Sequence, residues 1–338
     1  MSSNLRVDSI VPATGTNVSI GTATGGVNIP GVLTYEDVTN VDSVGVITAR
    51  SGIDAASNLL LKTGGTEKVR IDSGGRILKG IQTARGNYAN NASGVQFGVQ
   101  IEATSGTDST LSLIRSSNDA NDGGIFIGKT RGSVGGSTAV QAGDDLGTIT
   151  FGGADGTSLQ FGAQIIAEVQ SGVGNDDMPT DLIFKTNGGS TSTAERLRIS
   201  SEGYLTMPNR PMFSGRPNIS NAFRNSTETM KLTSHINVGN HWDNGNYSFT
   251  CPVTGYYFMQ CNFISNIESY LFLRKNTGSG FTKIYTSSHG YGRGDSGEYR
   301  TIAGNHIESC NAGDKLDFYV QGGYYGLEHG SGTIFLLA

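Results

Sequence analysis

No stretch of eleven residues in this chain holds an apolar face at helical spacing between caps. Apolar residues come instead in short alternating runs: 111–114 (LSLI), 124–128 (GIFIG), 147–153 (GTITFGG), 164–170 (QIIAEVQ) and 181–186 (DLIFKT). Each run is bounded by Gly, Asn, Asp or Ser. Period-two alternation with frequent turn residues predicts an all-β chain. Glycine reinforces this reading. It fills 50 of 338 positions, about twice ordinary usage. It has no period of three, and there are only 7 prolines, so collagen is excluded.

One unit occurs twice. Residues 59–78 (LLLKTGGTEKVRIDSGGRIL) align with residues 182–206 (LIFKTNGGSTSTAERLRISSEGYLT). Lys62-Thr63 matches Lys185-Thr186, Glu67 matches Glu195, Val69-Arg70-Ile71 matches Leu197-Arg198-Ile199, and Gly75 matches Gly203. The later copy has five extra loop residues, and a fainter echo opens the chain at Leu5. A repeated strand–turn–strand unit predicts stacked β architecture. Such units are too thin to stand alone. Three or more strands must share an apolar face, and open edges invite aggregation. Intertwining three identical chains answers both problems, so the composition of residues 51–207 predicts an elongated, intertwined homotrimeric shaft.

Composition changes near Arg216. Ten of the 13 tyrosines lie from Tyr247 onward, and the only tryptophan is Trp242. Aromatic rings supply large buried area, so the last 120 or so residues predict one β-sandwich. The predicted organisation is an N-terminal segment (1–50), a first β-repeat (51–84), a β-rich shaft module (85–207), a neck stiffened by Pro208, Pro211 and Pro217 (208–217), and a head (218–338).

Charge and cysteines narrow the function classes. A net charge of −5 with no basic stripe argues against nucleic acid. No apolar run approaches the roughly 18 residues of a spanning helix, so no membrane insertion is expected. The start, MSSNLRVDSIVPATG, lacks the basic and apolar regions of a secretory signal. Cys251, Cys261 and Cys310 are odd in number and lack CxxC spacing, which reads as free thiols made in a reducing cytosol.

The chemical motifs weaken on inspection. Residues 123–130 (GGIFIGKT) match the phosphate-loop expression, but the middle is strand-like and RGSVGGSTA after it cannot hold a helix. Lys129 is therefore expected as a solvated strand-end charge. A calcium loop starting at Asp119 would place Gly123 at position 5 and Thr130 at position 12, which fails the ligand pattern. The Arg-Gly-Asp in 291–297 reads as an exposed loop tip. Asp144, Asp145, Glu168, Asp176 and Asp177 could supply opposed carboxylates, but acids in Gly-rich segments are usually turn residues. His235, His241, His289, His306 and His329 lack His-x-His spacing, and no Gly-x-Ser-x-Gly elbow anchors a triad. No catalytic set, cofactor or metal is expected.

Three segments resemble known families. Residues 237–264 (NVGNHWDNGNYSFTCPVTGYYFMQCNFI) look like the central signature of the C1q/TNF-like head, through Phe249, Cys251, Pro252, Gly255, Tyr257 and Phe258. Residues 312–338 resemble that head's end, with Gly313-Asp314 opening one strand and Ile334-Phe335-Leu336 forming the last. Residues 135–203 resemble a module frequent in bacteriophage tail fibres. The opening, LRVDSIVPATG, is similar to the starts of virion proteins of marine, cyanobacterium-infecting phages. The resemblances imply a trimeric jelly-roll head on a tail fibre, assembled in the bacterial cytoplasm and carried on the virion. The N-terminus would dock on a tail or baseplate protein, and the head would meet a host-surface glycan or protein. A polysaccharide-degrading tailspike and a capsid-decorating fibre are the alternatives. Two Gly- and Tyr-rich head segments suit recognition, because Tyr offers apolar area with a polar tip. They nominate Tyr291, Arg293, Asp295, Tyr299, Tyr324 and Tyr325 as receptor contacts; packing between subunits is the competing reading of the same tyrosines.

Overall fold

The computed structural model describes residues 52–88, 96–219, 223–287, 299–326 and 329–338. The chain divides into two compact units, 1–59 and 60–338; the segment expected to attach to the virion, 1–50, lies outside the described residues. Among the described residues there is no helix.

The first repeat forms β1 (Leu59–Thr63), β2 (Thr66–Ile71) and β3 (Ile77–Lys79), extended by β4 (Val99–Ile101), in the order β1-β2-β3-β4. The second lies in a five-stranded sheet of β5 (Asp145–Ala154), β6 (Leu159–Val169), β7 (Thr180–Asn187), β8 (Thr193–Ile199) and β9 (Leu205–Thr206), also in sequence order. The two copies fold alike. Each pairs its middle strand with a short third strand across a turn closed by a glycine at positive φ, Gly75 at 76° and Gly203 at 86°. A Cβ would be strained there. Each also carries the same i,i+3 ion pair. Arg70 donates to both Glu67 oxygens at 2.5 and 2.7 Å, and Arg198 to both Glu195 oxygens at 3.1 and 2.7 Å. The sequence repeat is thus a structural repeat.

Within the β-rich module expected over 85–207, the strands are unevenly spread, with β4 near its start and β5 to β9 from Asp145 onward. Residues 102–144 hold no strand, only the isolated bridge between Arg131 and Thr138. The alternating runs 111–114 and 124–128 are exposed and join no sheet among the described residues. Alternation specifies a strand's faces, whereas a ladder needs a second strand.

The head contains β10 (Met212–Pro217), β11 (Phe223–Asn225), β12 (Glu228–Thr229), β13 (Leu232–Val238), β14 (Trp242–Asp243), β15 (Ser248–Thr250), β16 (Gly255–Ser265), β17 (Tyr270–Asn276), β18 (Phe281–Thr286), β19 (Arg300–Cys310), β20 (Lys315–Gln321), β21 (Gly323–Tyr325) and β22 (Gly330–Leu336). One sheet runs β13-β10-β22-β16-β19 and the other β14-β15-β20-β17-β18, with β12 beside β20. The chain crosses repeatedly between the two sheets, which gives a jelly-roll sandwich.

Alternation builds its core. On β16, Tyr257, Met259, Cys261 and Phe263 are fully buried, and the residues between them face outward. Phe213 stacks on Trp242 at 3.7 Å between ring centres, and Trp242 Nε1 donates to the Leu232 carbonyl at 3.2 Å. All three cysteines are free and buried. The charged pair Arg274–Asp317 sits at the core's edge. Arg274 donates to Asp317 Oδ1 at 2.8 Å and to Thr229 at 2.8 Å, with its guanidinium 4.0 Å over Tyr319.

The predicted neck requires a correction. Met212–Pro217 is the head's first strand, hydrogen-bonded between β13 and β22. Phe213 is fully buried, and a ring in the core outweighs the stiffness of flanking prolines. The head therefore begins before residue 218.

Candidate receptor-binding site

Tyr324 and Tyr325 are adjacent on β21, so the strand sends them to opposite sides. Tyr324 goes inward and is 0% exposed. Its hydroxyl accepts from the Lys231 amide at 3.3 Å and donates to Glu228 Oε1 at 3.4 Å, and its ring meets Phe263 edge-on. Burial pushes its phenol up to about 12. The expectation that Tyr324 contacts a receptor is therefore corrected, since a core ring offers no surface.

Tyr325 goes outward and gathers an aromatic cluster. β21 pairs with β11, placing Phe223 opposite Tyr325 with rings 4.9 Å apart. Tyr299, just before β19, packs edge-on at 5.1 Å, and His329, just before β22, edge-on at 6.1 Å. Ile264 closes one wall, its amide donating to the His329 carbonyl at 3.0 Å. Tyr299, Tyr325, His329 and Ile264 line an open hollow of about 460 Å³. A hydrogen bond with Tyr299 and then burial hold the Tyr325 phenol above its ordinary value. Tyr299 is 61% exposed. The hollow offers ring faces and hydroxyl tips, the chemistry that stacks on a sugar ring or an apolar protein surface.

Of the six nominated residues, Tyr299 and Tyr325 meet in this hollow and Tyr324 lies in the core. Tyr291, Arg293 and Asp295 lie outside the described residues. Sequence reasoning missed Ile264, His329 and Phe223, which carry no motif and are brought in by strand pairing.

The other candidate groups are mostly engaged in ion pairs. Lys129 is not a free strand-end charge: with Arg131 it holds the buried Asp144, at 2.7 Å from each. Hydrogen bonds from Arg131 and then Lys129 keep that carboxyl well below its ordinary range. Glu168 joins the Arg198 network at 3.1 Å. Asp119 takes both guanidinium arms of Arg115 at 2.6 Å. Among the described residues no group of three or more His, Cys, Asp or Glu side chains could hold a metal.

No protein-family model matches this sequence, and no curated protein matches it. Among solved structures, the globular domain of zebrafish complement 1qA protein is 17% identical, covering 38% of this chain and 98% of its own, at a TM-score of 0.31. Eiger TNF from S. frugiperda is 10% identical over 38% of this chain and 94% of its own, at 0.32. Murine APRIL at pH 5.0 is 7% identical over 38% and 99%, at 0.32.

Proposed function

We propose that this chain is a non-enzymatic structural and adhesive virion protein, a homotrimeric bacteriophage tail fibre. Residues 1–50 fasten it to a tail or baseplate protein, three copies join through shaft and head, and the head presents the Tyr299–Tyr325 hollow to a glycan or protein on the host surface. The resemblance of residues 135–203 to tail-fibre modules motivates the virion assignment.

The observation that carries self-assembly is an apolar row across the head's outer sheet face. Val238, Met212, Phe335, Phe258 and Ile307 stand side by side on five successive strands, β13, β10, β22, β16 and β19. The Phe258 and Phe335 rings are 5.1 Å apart, and Ile307, Tyr256 and Leu337 are exposed beside them. Val238, Met212, Phe335 and Phe258 are half-buried, with the Arg210 guanidinium 5.2 Å over the Phe335 ring, and a soluble monomer rarely presents so continuous an apolar row at its surface. Copies of the same head cover it under closed rotational symmetry.

Native mass measurement tests the assembly, with three times 35.5 kDa expected; a stable soluble monomer overturns it. Labelled-antibody imaging of virions tests the mount, with label expected at the tail, and label on the capsid selects a decorating fibre. Incubation with host polysaccharide is expected to leave the polymer intact; released oligosaccharide replaces the adhesive reading with an enzymatic one.

A further inference from the structure

Residues 102–206 hold two exposed apolar surfaces that nothing covers among the described residues. The first is a face of the five-stranded sheet. Register places Ile149, Ile165, Phe184 and Leu197 in one cross-strand row, with Leu182 and Leu205 in the next. Ile149, Phe151, Leu182 and Leu205 are exposed. The opposite face carries the buried Ile166 and Ile183 and the Arg198 ion-pair network. This sheet is thus apolar on its open side.

The second surface is the segment between β4 and β5. It is anchored at both ends: Lys79 Nζ donates to the Asp108 carbonyl at 2.7 Å, and Lys129 and Arg131 bind Asp144. Between the anchors the chain folds back on itself, since a Cβ placed on Gly123 would sit 3.6 Å from the Arg115 Cβ. Among the described residues, 111–128 make no backbone–backbone hydrogen bond. Leu111, Leu113, Ile114 and Ile125 are exposed, and Phe126 is 97% exposed. The foot of this arm touches the sheet, where Ile127 lies against Gly147. A hollow of about 150 Å³ opens there among Ile127, Ile149, Ile165 and Leu182.

We propose that residues 111–127 form an exchanged arm, which lies on the open face of the five-stranded sheet of a second copy of this chain. The inference rests on the reading that copies of the chain associate. The occupant that fits is a second copy of this chain. Both surfaces belong to this chain, both limbs (111–114 and 125–128) lack charge, and the arm's exposed apolar side chains can supply the second layer that the open sheet face lacks among the described residues. Each chain gives one arm and receives one, so the exchange closes under rotational symmetry and leaves no unsatisfied face.

The test uses the full chain with Phe126→Cys in one variant and Phe151→Cys in another, the three native thiols being buried. Co-expressed and mildly oxidised, the two variants are expected to yield a linked two-chain band. Amides of 111–114 and 125–128 are expected to exchange on the order of a hundredfold more slowly than free chain. With Phe126→Cys and Phe151→Cys placed together in one chain, linkage confined within single chains overturns the exchange, as do an absence of linkage between the co-expressed variants or unprotected amides in the arm. Native mass of the same samples separates the two readings: a trimer without these results removes the arm alone, and a monomer removes both.

Discussion

The head and the five-stranded sheet of the shaft use the same alternation with opposite outcomes. On β16, the inward residues Tyr257, Met259, Cys261 and Phe263 meet a second sheet of the same chain and are fully buried. On β5, Ile149 and Phe151 alternate as regularly, yet they remain exposed. The strands are equally legible; what differs is whether the chain supplies a second layer. A sandwich carries its own partner sheet, whereas a lone sheet with one apolar face must borrow one. The head thus supplies both layers of its own core, whereas the five-stranded sheet leaves one apolar face open.

The sharpest break in this comparison comes from cutting the chain. A fragment of 208–338 is expected to fold cooperatively by itself, and one of 216–338, lacking most of β10 and Phe213, is expected to be unfolded by near-ultraviolet circular dichroism. A shaft fragment of 52–207 that is soluble and monomeric at all concentrations would remove the contrast.

Next in size is Phe213→Ala in the intact chain. Removing a fully buried ring stacked on Trp242 is expected to destabilise the head by about 3–5 kcal/mol, read by denaturant titration of Trp242 fluorescence. Ile149→Asp on the shaft's open face should leave that head transition in place while lowering the assembly's melting temperature. Loss of both together would mean that the two regions unfold as one.

Acid separates the regions by a smaller margin. In the repeats, hydrogen bonds from Arg70 and Arg198 lower the pKa of Glu67 and Glu195, and the Arg76 amide lowers that of Asp72. Lowered carboxylates stabilise above their ordinary values of 4.5 and 3.8, and that contribution is lost as pH falls through the folded values. In the head, Glu228 and Asp243 are lowered as well, but burial raises Asp317 against the opposing pull of Arg274 and offsets part of that loss. Protonation of Asp317 therefore relieves a cost of folding as pH falls. Between about pH 5 and 3, far-ultraviolet signal from the shaft should decay before Trp242 fluorescence changes. The reverse order would contradict the assignment of these charges.

The smallest effect on stability is expected for Tyr299→Ala with Tyr325→Ala. Both rings are at the surface, so melting should move by only a few degrees, while adsorption of purified heads to host cells falls. Tyr324→Ala serves as the contrast, because it empties the core and should melt the head.

The sequence by itself determined the all-β class, through alternation and the lack of helical spacing. It determined the repeat as well, since Gly75 and Gly203 mark the same left-handed turn position and Glu67–Arg70 and Glu195–Arg198 the same ion pair. These are local properties, set by φ and by residues a few positions apart. The tertiary structure alone decided the rest. It turned Met212–Pro217 from neck to core strand, because Phe213 finds Trp242 across the sandwich. It separated Tyr324 from Tyr325, because the inward face of a two-residue step depends on where the second sheet lies. It joined Val238, Met212, Phe335, Phe258 and Ile307 into one row, and Tyr299, Tyr325 and His329 into one hollow, from residues far apart in the chain. Such juxtapositions are fixed by strand register across the sheet, which the composition of a single strand does not encode.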